Sequence, residues 1–231
     1  MILRLDCPVQ HYAWGSTDSI PRIMRRDNPE AQPWAELWMG AHPKAPSRTP
    51  DGQSLEALIA ADPAAALGRA QDLHDGKLPF LMKVLAAASP LSIQCHPNRE
   101  QARAGCARED AVGIPRDAGH RNYRDDNHKP ELIYALEPFW AMKGFREPSE
   151  AAALIRSGSG NALGQLVMAL ESGSEPLRDF FSGLLALDEA ATTRALDALA
   201  EGSSALPEAE RRWVEDLLRR YPGDIGAFAP L

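Results

Sequence analysis

The stretch Leu91-Ser-Ile-Gln-Cys-His-Pro-Asn98 decides the predicted fold of this chain. Its composition predicts a β-strand that enters a turn at its end. Side chains alternate between the two faces of a strand, so Ser92, Gln94 and His96 are expected on one face and the residues between them on the other. The first face is polar and holds a possible imidazole ligand, whereas the second is apolar and suited to packing.

A second polar stretch, Asp125-Asp-Asn-His-Lys-Pro-Glu131, runs directly into an apolar segment, and strands are predicted over residues 130–135 and 139–145. Lys129 and Glu131 are two residues apart and therefore share a face of that strand. If the two strands are neighbours, Gln94, His96 and Glu131 converge and offer the mixed nitrogen and oxygen donors that suit Zn²⁺. The alternative is that His96 is an ordinary hydrogen-bonded histidine, since Gln-x-His spacing alone is a loose metal signature.

The composition is that of a soluble globular protein of 231 residues, 44% hydrophobic and 25% charged, which is long enough for one large or two small domains. The formal net charge of −7 disfavours nucleic acid as a partner, because phosphate-backbone binding needs a basic surface. A small phosphorylated substrate needs only a local basic pocket and is still compatible with this charge.

Neither membrane insertion nor secretion is predicted. No apolar run approaches the roughly 20 residues of a membrane span, and the N-terminus lacks a signal-peptide pattern. The cysteines Cys7, Cys95 and Cys106 are odd in number and form no C-x-x-C pair, so reduced thiols in a cytoplasmic protein are expected.

Three further residues are candidates for a ligand pocket, each with an alternative. Trp14 is either a pocket wall or a core aromatic residue, and Glu36, which lies between two tryptophans in sequence, is either a pocket acid or an exposed strand residue. Lys83 interrupts an apolar strand predicted over residues 77–85. It therefore either meets an anion of the ligand or reaches water at a sheet edge.

The pattern changes at residue 149, from predicted strands to predicted helices. Alanine-rich segments with leucines at three- and four-residue spacing, N-terminal cap residues and closing glycines predict five helices. They cover residues 149–156, 161–170, 175–187, 188–200 and 206–220. Earlier in the chain, Asn98 with Gln101 three residues later predicts a capping box at the start of another helix. We therefore expect a first segment over residues 1–148 and a helical domain at 149–222.

Five strings of this sequence, in the same order, resemble the type I mannose-6-phosphate isomerases, also called phosphomannose isomerases. They are Tyr12-Ala-Trp-Gly15, Trp34-Ala-Glu-Leu-Trp-Met-Gly-Ala-His-Pro43, Leu78-Pro-Phe-Leu-Met-Lys-Val-Leu85, Leu91-Ser-Ile-Gln-Cys-His-Pro97 and Asn122-Tyr-Arg-Asp-Asp-Asn-His-Lys-Pro-Glu131. The resemblance implies a mixed β and α fold. Residues 1–148 would form a cupin-like (jelly-roll) antiparallel β catalytic domain, incomplete at its C-terminal side, with the all-α helical domain inserted. Residues 223–231 would be the start of the return segment to the catalytic barrel.

The resemblance also implies an activity and a site. The activity is the interconversion of D-mannose 6-phosphate and D-fructose 6-phosphate through a cis-enediol, with one Zn²⁺ per site on Gln94, His96 and Glu131. Lys129 is a candidate base or substrate contact. The implied substrate-binding residues are Trp14, Glu36, Lys83 and Ser92. The expected partner is a small sugar phosphate, with no nucleic acid and no membrane, and the protein is expected to be a monomer.

The family's fourth zinc ligand is a histidine in a later segment, and this sequence has no histidine after Glu131. We therefore expect either a fragment or a short form whose activity needs testing. The main alternative function is a non-catalytic module that binds zinc or a sugar phosphate. An Fe(II) oxygenase of the cupin type is disfavoured, because such sites usually offer two histidines and a carboxylate, and here Gln94 takes one place.

Overall fold

The structure is a computed structural model that describes residues 2–231, and the contacts within it group the chain into two units. The first unit ends at Pro130, and the second comprises Glu131–Leu231. The mixture of α and β structure, with a small antiparallel sheet, confirms the predicted fold class at that level. The predicted division at residues 148 and 222 stays a prediction.

A small antiparallel sheet forms the centre of the first unit. Its strands, in spatial order, are β1 (Val9–Gln10), β2 (Glu36–Met39) and β3 (Met82–Leu85). Leu37 of β2 lies opposite Val9 and Val84, and it is buried in a small core with Ile20 and Ala86. The alternation along β2 therefore places Glu36 and Trp38 together on the other face of the sheet.

Five helices lie between and after these strands in the sequence: α1 (Ser19–Met24), α2 (Leu55–Ala61), α3 (Pro63–Leu67), α4 (Ala70–Leu73) and α5 (Arg99–Ala111). The predicted capping box of α5 is confirmed. The side-chain oxygen of Asn98 accepts a hydrogen bond from the Gln101 backbone N–H at 2.9 Å, and the Gln101 side chain accepts one from the Asn98 N–H at 3.0 Å. These two bonds satisfy donors that the first helical turn leaves free.

The strand predicted over residues 91–98 is wrong as regular secondary structure, because no helix or strand is assigned there before α5 begins. The strand predicted over residues 77–85 is reduced to β3. Residues 91–96 are exposed, with Ile93 at 64%. A strand gains its backbone hydrogen bonds from a neighbouring strand, so an alternating pattern without a paired neighbour forms no ladder.

The second unit begins with an extended stretch over residues 131–145, where no helix or strand is assigned. The strands predicted over residues 130–135 and 139–145 are therefore also wrong as regular structure. Large apolar side chains in this stretch are exposed, including Leu132 at 93% and Tyr134 at 81%. The physical reason is the same as for residues 91–98.

Helices make up most of the rest of the second unit: α6 (Pro148–Ser159), α7 (Gly164–Ser172), α8 (Pro176–Leu185), α9 (Glu189–Gly202) and α10 (Glu208–Arg220), with 3₁₀ turns at Ser203–Ala205 and Ile225–Phe228. They bury a continuous apolar core in which Leu199 and Val214 are inaccessible to solvent. The five helices predicted after residue 149 are thus confirmed to within about three residues at each end, as is usual for helix boundaries. In residues 2–231, no helix combines the length and the apolarity needed to cross a membrane.

Candidate functional site

One face of the sheet carries a carboxylate, an indole and an ammonium group in contact. Lys83 lies directly opposite Trp38 in the β2–β3 register, with Glu36 two residues before Trp38. The Trp38 Nε1–H donates to Glu36 Oε2 at 2.6 Å, and Lys83 Nζ lies 3.4 Å from Glu36 Oε1. Lys83 Nζ also lies 5.1 Å from the centre of the Trp38 ring, within cation–π distance. The buried Glu36 carboxylate thus has a hydrogen-bond donor on one oxygen and a cation on the other.

The loop that follows β2 is closed by Ser47. This fully buried side chain accepts a hydrogen bond from the Gly40 N–H at 3.0 Å and donates one to the Trp38 carbonyl at 3.2 Å, while the Ser47 N–H donates to the Gly40 carbonyl at 2.8 Å. Leu81 lies so close to Gly40 that a Cβ there would meet its Cδ1 at 2.8 Å. The loop between these anchors carries His42 and Lys44, so the backbone of both residues is held in place beside Trp38.

His42 packs against the edge of Trp38, with 4.7 Å between the ring centres. Its Nδ1 accepts a hydrogen bond from the Lys44 backbone N–H at 3.1 Å, so the neutral ring carries its proton on Nε2. Partial removal from water lowers the pKa of His42, and the positive charges of Lys83, Lys44 and Lys129 lower this pKa further against a smaller opposing effect of Asp125. A neutral imidazole with an Nε2–H donor is therefore the form that this environment favours.

Tyr12 and Trp14 continue the same aromatic surface. Their rings stack with 5.6 Å between centres, and the Tyr12 hydroxyl accepts from Lys44 Nζ at 3.4 Å. Trp14 is fixed through its backbone, because its carbonyl accepts from the Ala88 N–H at 2.8 Å. The next residue, Gly15, passes so close to the backbone of Ala35 that a Cβ would lie 2.6 Å from it. A residue with a side chain at position 15 would push Trp14 out of this arrangement.

Lys129 belongs to the same unit. Its Nζ lies 3.9 Å from Asp125 Oδ2, and the side chain is half exposed. Asp125 in turn accepts the Asn127 backbone N–H at 2.9 Å, which shapes the turn before Lys129. The positive charge of Lys129 is one of those that lower the pKa of His42.

The loop that leads to Lys129 is fastened to α5 by Arg121, whose side chain is inaccessible to solvent. Arg121 Nε donates to the Tyr123 carbonyl at 2.7 Å, and Nη2 donates to Asp110 Oδ1 at 2.7 Å. Glu109 accepts the backbone N–H of Tyr123 at 2.8 Å, which is the main reason that the pKa of its carboxyl lies below the usual range. Arg121 and then Arg116 lower the pKa of Asp110 in the same direction.

The predicted metal ligands lie in two parts of the chain. Gln94 and His96 are both exposed in the irregular stretch before α5, where Ser92 is exposed as well. Glu131 is the first residue of the second unit, and its convergence with the other two stays a prediction. Within residues 2–231, no group of three or more His, Cys, Asp or Glu side chains is arranged to hold a metal ion. The predicted set contains only two such side chains, because Gln94 would contribute an amide oxygen.

The structure thus brings Trp14, Glu36 and Lys83, three of the predicted substrate-binding residues, onto one surface. We call this surface the lysine–aromatic patch and define it by Tyr12, Trp14, Glu36, Trp38, His42, Lys44 and Lys83. The sequence argument did not single out Tyr12, Trp38, His42 or Lys44 as site residues. Of these four residues, only Trp38 could have been predicted from the sequence, through its two-residue spacing from Glu36. The position of the other three depends on how the chain folds back.

Comparison with known proteins gives the family. Residues 2–148, more than half of this chain, match the family model described as phosphomannose isomerase type I, catalytic domain. The chain belongs to the type I phosphomannose isomerase family. Mannose-6-phosphate isomerase of Escherichia coli strain K12 is 42% identical over 227 residues, and the alignment covers 96% of this chain and 58% of that protein. The Homo sapiens protein of the same name is 32% identical over 259 residues, covering 99% and 59%.

Solved structures of this family have the same fold. The apo form of mannose 6-phosphate isomerase from Salmonella typhimurium matches with a TM-score of 0.90 and 42% identity, over 99% of this chain and 58% of that chain. The form of that enzyme bound to substrate (fructose 6-phosphate) and zinc matches with the same TM-score and identity, over 99% and 59%. The chain spans a little under three fifths of the length of the relatives it matches.

Proposed function

We propose that this chain belongs to a zinc-dependent aldose–ketose isomerase that interconverts D-mannose 6-phosphate and D-fructose 6-phosphate. One observation carries the proposal: a family member described as bound to fructose 6-phosphate and zinc shares the fold of 99% of this chain at 42% identity. The lysine–aromatic patch supports it, because ammonium groups and aromatic faces are suited to bind a charged sugar.

The proposal includes the finer fold. The sheet unit would be part of a cupin-like jelly-roll catalytic domain, and the exposed stretches at residues 91–96 and 131–145 would pair as its strands when the remainder of the family fold is present. The helical domain, predicted at 149–222, would be an insertion, and residues 223–231 would return towards the barrel. Exposed apolar side chains such as Leu132 and Ile93 support this arrangement, because large apolar surfaces in soluble proteins usually meet a partner surface.

Zinc would be held by Gln94, His96 and Glu131, with one ion per site. The donor chemistry fits, because an amide oxygen, an imidazole nitrogen and a carboxylate form a mixed set that Zn²⁺ accepts. Gln94 and His96 are exposed and separated by one residue, so neither is committed to the core. When bound, the ion would supply a Lewis acid that stabilises negative charge developing on the sugar oxygens.

The chain's own residues would bind and orient the sugar and move a proton between C1 and C2 through a cis-enediol. Lys129 is the candidate base or substrate contact. Glu36, held by Trp38 and Lys83, would accept hydrogen bonds from sugar hydroxyls, and the exposed Ser92 would donate or accept another. Trp14 would form an apolar wall against the sugar ring.

The test measures zinc content and isomerase turnover in this 231-residue chain, with the Escherichia coli relative as the active standard. We expect His96→Ala to abolish zinc binding, because it removes the only imidazole of the proposed set. We expect Lys129→Ala to retain zinc and to lose turnover. His74→Ala is the control, since His74 ends α4 and lies outside the proposed site.

Retained zinc stoichiometry in His96→Ala would contradict the ligand assignment, and full turnover in Lys129→Ala would contradict its role in the reaction. Bound zinc without turnover in the unmodified chain would instead favour the non-catalytic binding module. The proposal further includes a cytoplasmic monomer, which light scattering and cell fractionation would test.

A further inference from the structure

Helix α5 lies in the sequence between two segments that carry proposed site residues. Its capping box begins at Asn98, two residues after His96, and the loop that leads to Lys129 follows its C-terminal end. No helix or strand is assigned over residues 91–97 or 121–131. A segment without its own hydrogen-bonded ladder takes its position from the groups that it contacts. The contacts of α5 with these segments therefore decide where the site residues lie.

The second segment packs against α5 at Gly105. The Tyr123 ring lies so close to the helix there that a Cβ on residue 105 would be 2.5 Å from Tyr123 Cγ. Arg108 lies over the same ring, with 5.7 Å between its guanidinium carbon and the ring centre. A side chain at position 105 would displace the ring, so this contact requires glycine.

The buried carboxylate of Glu109 holds the backbone of the same segment. Its Oε2 accepts the Tyr123 N–H at 2.8 Å, and its Oε1 accepts the Asn122 N–H at 3.2 Å. Nε of the buried Arg121 lies 3.6 Å from Glu109 Oε2 and supplies the opposite charge. Two carboxylate oxygens on two successive amides fix both the place and the direction of a backbone. The course of the chain from Tyr123 onwards is therefore set by α5.

Asp125 holds the residues between Tyr123 and Lys129. Its Oδ1 accepts the Asn127 N–H at 2.9 Å, and its Oδ2 lies 3.9 Å from Lys129 Nζ. The position that α5 imposes at Tyr123 is thus carried on to Lys129.

We propose that Gly105 and Glu109 are positioning residues of the metal site, through which α5 holds the segment of Lys129 in a fixed relation to that of Gln94 and His96. The capping box fixes the point at which the first segment enters the helix, with bonds of 2.9 and 3.0 Å. The contacts of Gly105 and Glu109 fix the second segment on the same helix. Groups that orient metal-binding residues from behind typically change metal affinity by about 10- to 100-fold when they are removed.

The positioning role rests on the proposed function, because it concerns the zinc ligands assigned there. The two fail differently. If the ligand set is wrong, the unmodified chain binds no zinc, whereas if only the role of α5 is wrong, the chain and its variants bind zinc equally.

The experiment is calorimetric titration of the metal-free 231-residue chain and its variants with Zn²⁺ alone. Gly105→Ala adds the Cβ that displaces Tyr123, while α5 itself is not weakened, because alanine is a better helix former than glycine. Gly119→Ala is the matched control, since a Cβ at this exposed glycine would meet no atom of residues 2–231 within 4 Å.

A second variant tests the carboxylate. Glu109→Gln keeps the size of the side chain but removes its charge and one of its two acceptor oxygens. Asp117→Asn is its control, because it removes an exposed carboxylate from the loop between α5 and Arg121. Circular dichroism and urea midpoints verify that each variant is folded, and hydrogen exchange over residues 122–129 reports whether the segment is released.

We expect Gly105→Ala and Glu109→Gln each to weaken zinc binding by about tenfold or more and to speed hydrogen exchange over residues 122–129. Gly119→Ala and Asp117→Asn should bind zinc as the unmodified chain does. A role in stability alone would lower the urea midpoint and leave the zinc affinity of a folded variant unchanged, because affinity falls only with the fraction of chains competent to bind.

Three results would overturn the positioning role. The first is unchanged zinc affinity in folded Gly105→Ala and Glu109→Gln, which would leave the proposed function intact. The second is an equal loss of affinity in the two control variants, since that would show a general effect of altering this loop. The third is an unmodified chain that binds no zinc, which would contradict the ligand set and the positioning role together.

Discussion

Residues 148–231 and residues 131–145 both contain many large apolar side chains, but the structure buries them very differently. In the first region Leu199 and Val214 are inaccessible to solvent, whereas in the second Leu132 is 93% exposed and Tyr134 is 81% exposed. The stretch at residues 91–96 resembles the second region, with exposed Ile93. The difference follows from secondary structure, because a helix closes its hydrogen bonds within itself and a strand needs a neighbour.

The largest effect is expected from a pair of leucine substitutions that tests this comparison directly. Leu199→Ala should lower the free energy of unfolding by about 3–5 kcal/mol, since it leaves a cavity in the helical core. Leu132→Ala should change the same quantity by no more than about 0.5 kcal/mol, because its side chain is exposed. Urea denaturation followed by circular dichroism measures both. Equal losses would show that residues 131–145 are covered in solution and would break the comparison.

A smaller effect on stability is expected in the first unit, where polar contacts, rather than a large apolar core, fasten the loop that leads to Lys129. Arg121→Met should cost roughly 2–4 kcal/mol, at the lower end for a broken buried ion pair because Asp110 keeps partial contact with water. Arg116→Met is the control, since Arg116 pairs with the same Asp110 but is 64% exposed and should contribute no more than about 1 kcal/mol.

Thermal or urea unfolding of these two arginine variants checks the prediction, and hydrogen exchange at Tyr123 reports whether the loop opens. If Arg116→Met lowered the free energy of unfolding as much as Arg121→Met does, Arg121 would not be the residue that fastens the loop to α5. Such a result would also show that surface charge, rather than a buried contact, stabilises this unit.

The smallest expected effect is on the pH dependence of stability. It arises from the lysine–aromatic patch of the first unit and not from the apolar helical core. The pKa of His42 is lower in the folded protein than its ordinary value of about 6.5, so the unfolded chain binds a proton at higher pH. The contribution of His42 to stability is therefore present above about pH 6.5 and is lost as the pH falls towards the folded-state pKa. Lys83, Lys44, Lys129 and Asp125 are the charged groups that act on it.

We expect His42→Gln to lose less unfolding free energy between pH 7.5 and pH 5.5 than the unmodified chain does. Lys44→Met should also reduce the loss of unfolding free energy between these two pH values, whereas Lys77→Met should leave that loss unchanged. An unchanged pH profile in His42→Gln would show that other groups dominate acid destabilisation.

Local signals in the sequence predicted the local structure well. Asn98 and Gln101 form the expected capping box, and Asp188 caps α9 through a hydrogen bond from the Ala191 N–H at 2.7 Å. Glu36 and Trp38 are two positions apart in β2 and therefore share one face of the strand, where they are hydrogen-bonded. These features depend on residues a few positions apart, so a one-dimensional pattern contains the information that they need.

Pairing between distant segments was predicted less well. The alternating pattern at residues 91–98 predicted a strand and no ladder forms there, because alternation describes a side-chain arrangement and does not supply a partner. The proposed zinc ligands Gln94, His96 and Glu131 rest on family resemblance for the same reason. Lys44 and Tyr12 are 32 positions apart, and nothing in the sequence joins them.

The sequence by itself thus determined the family, the helices with their caps and the chemistry of the candidate donors, since each is written in short strings of residues. Only the tertiary structure decided that Lys44, Lys83 and His42 surround Trp38, and that Arg121 fastens the loop before Lys129. The physical reason is that helix formation and capping are satisfied within a few residues. A binding surface, in contrast, is made by chain segments that meet only after the sheet has formed.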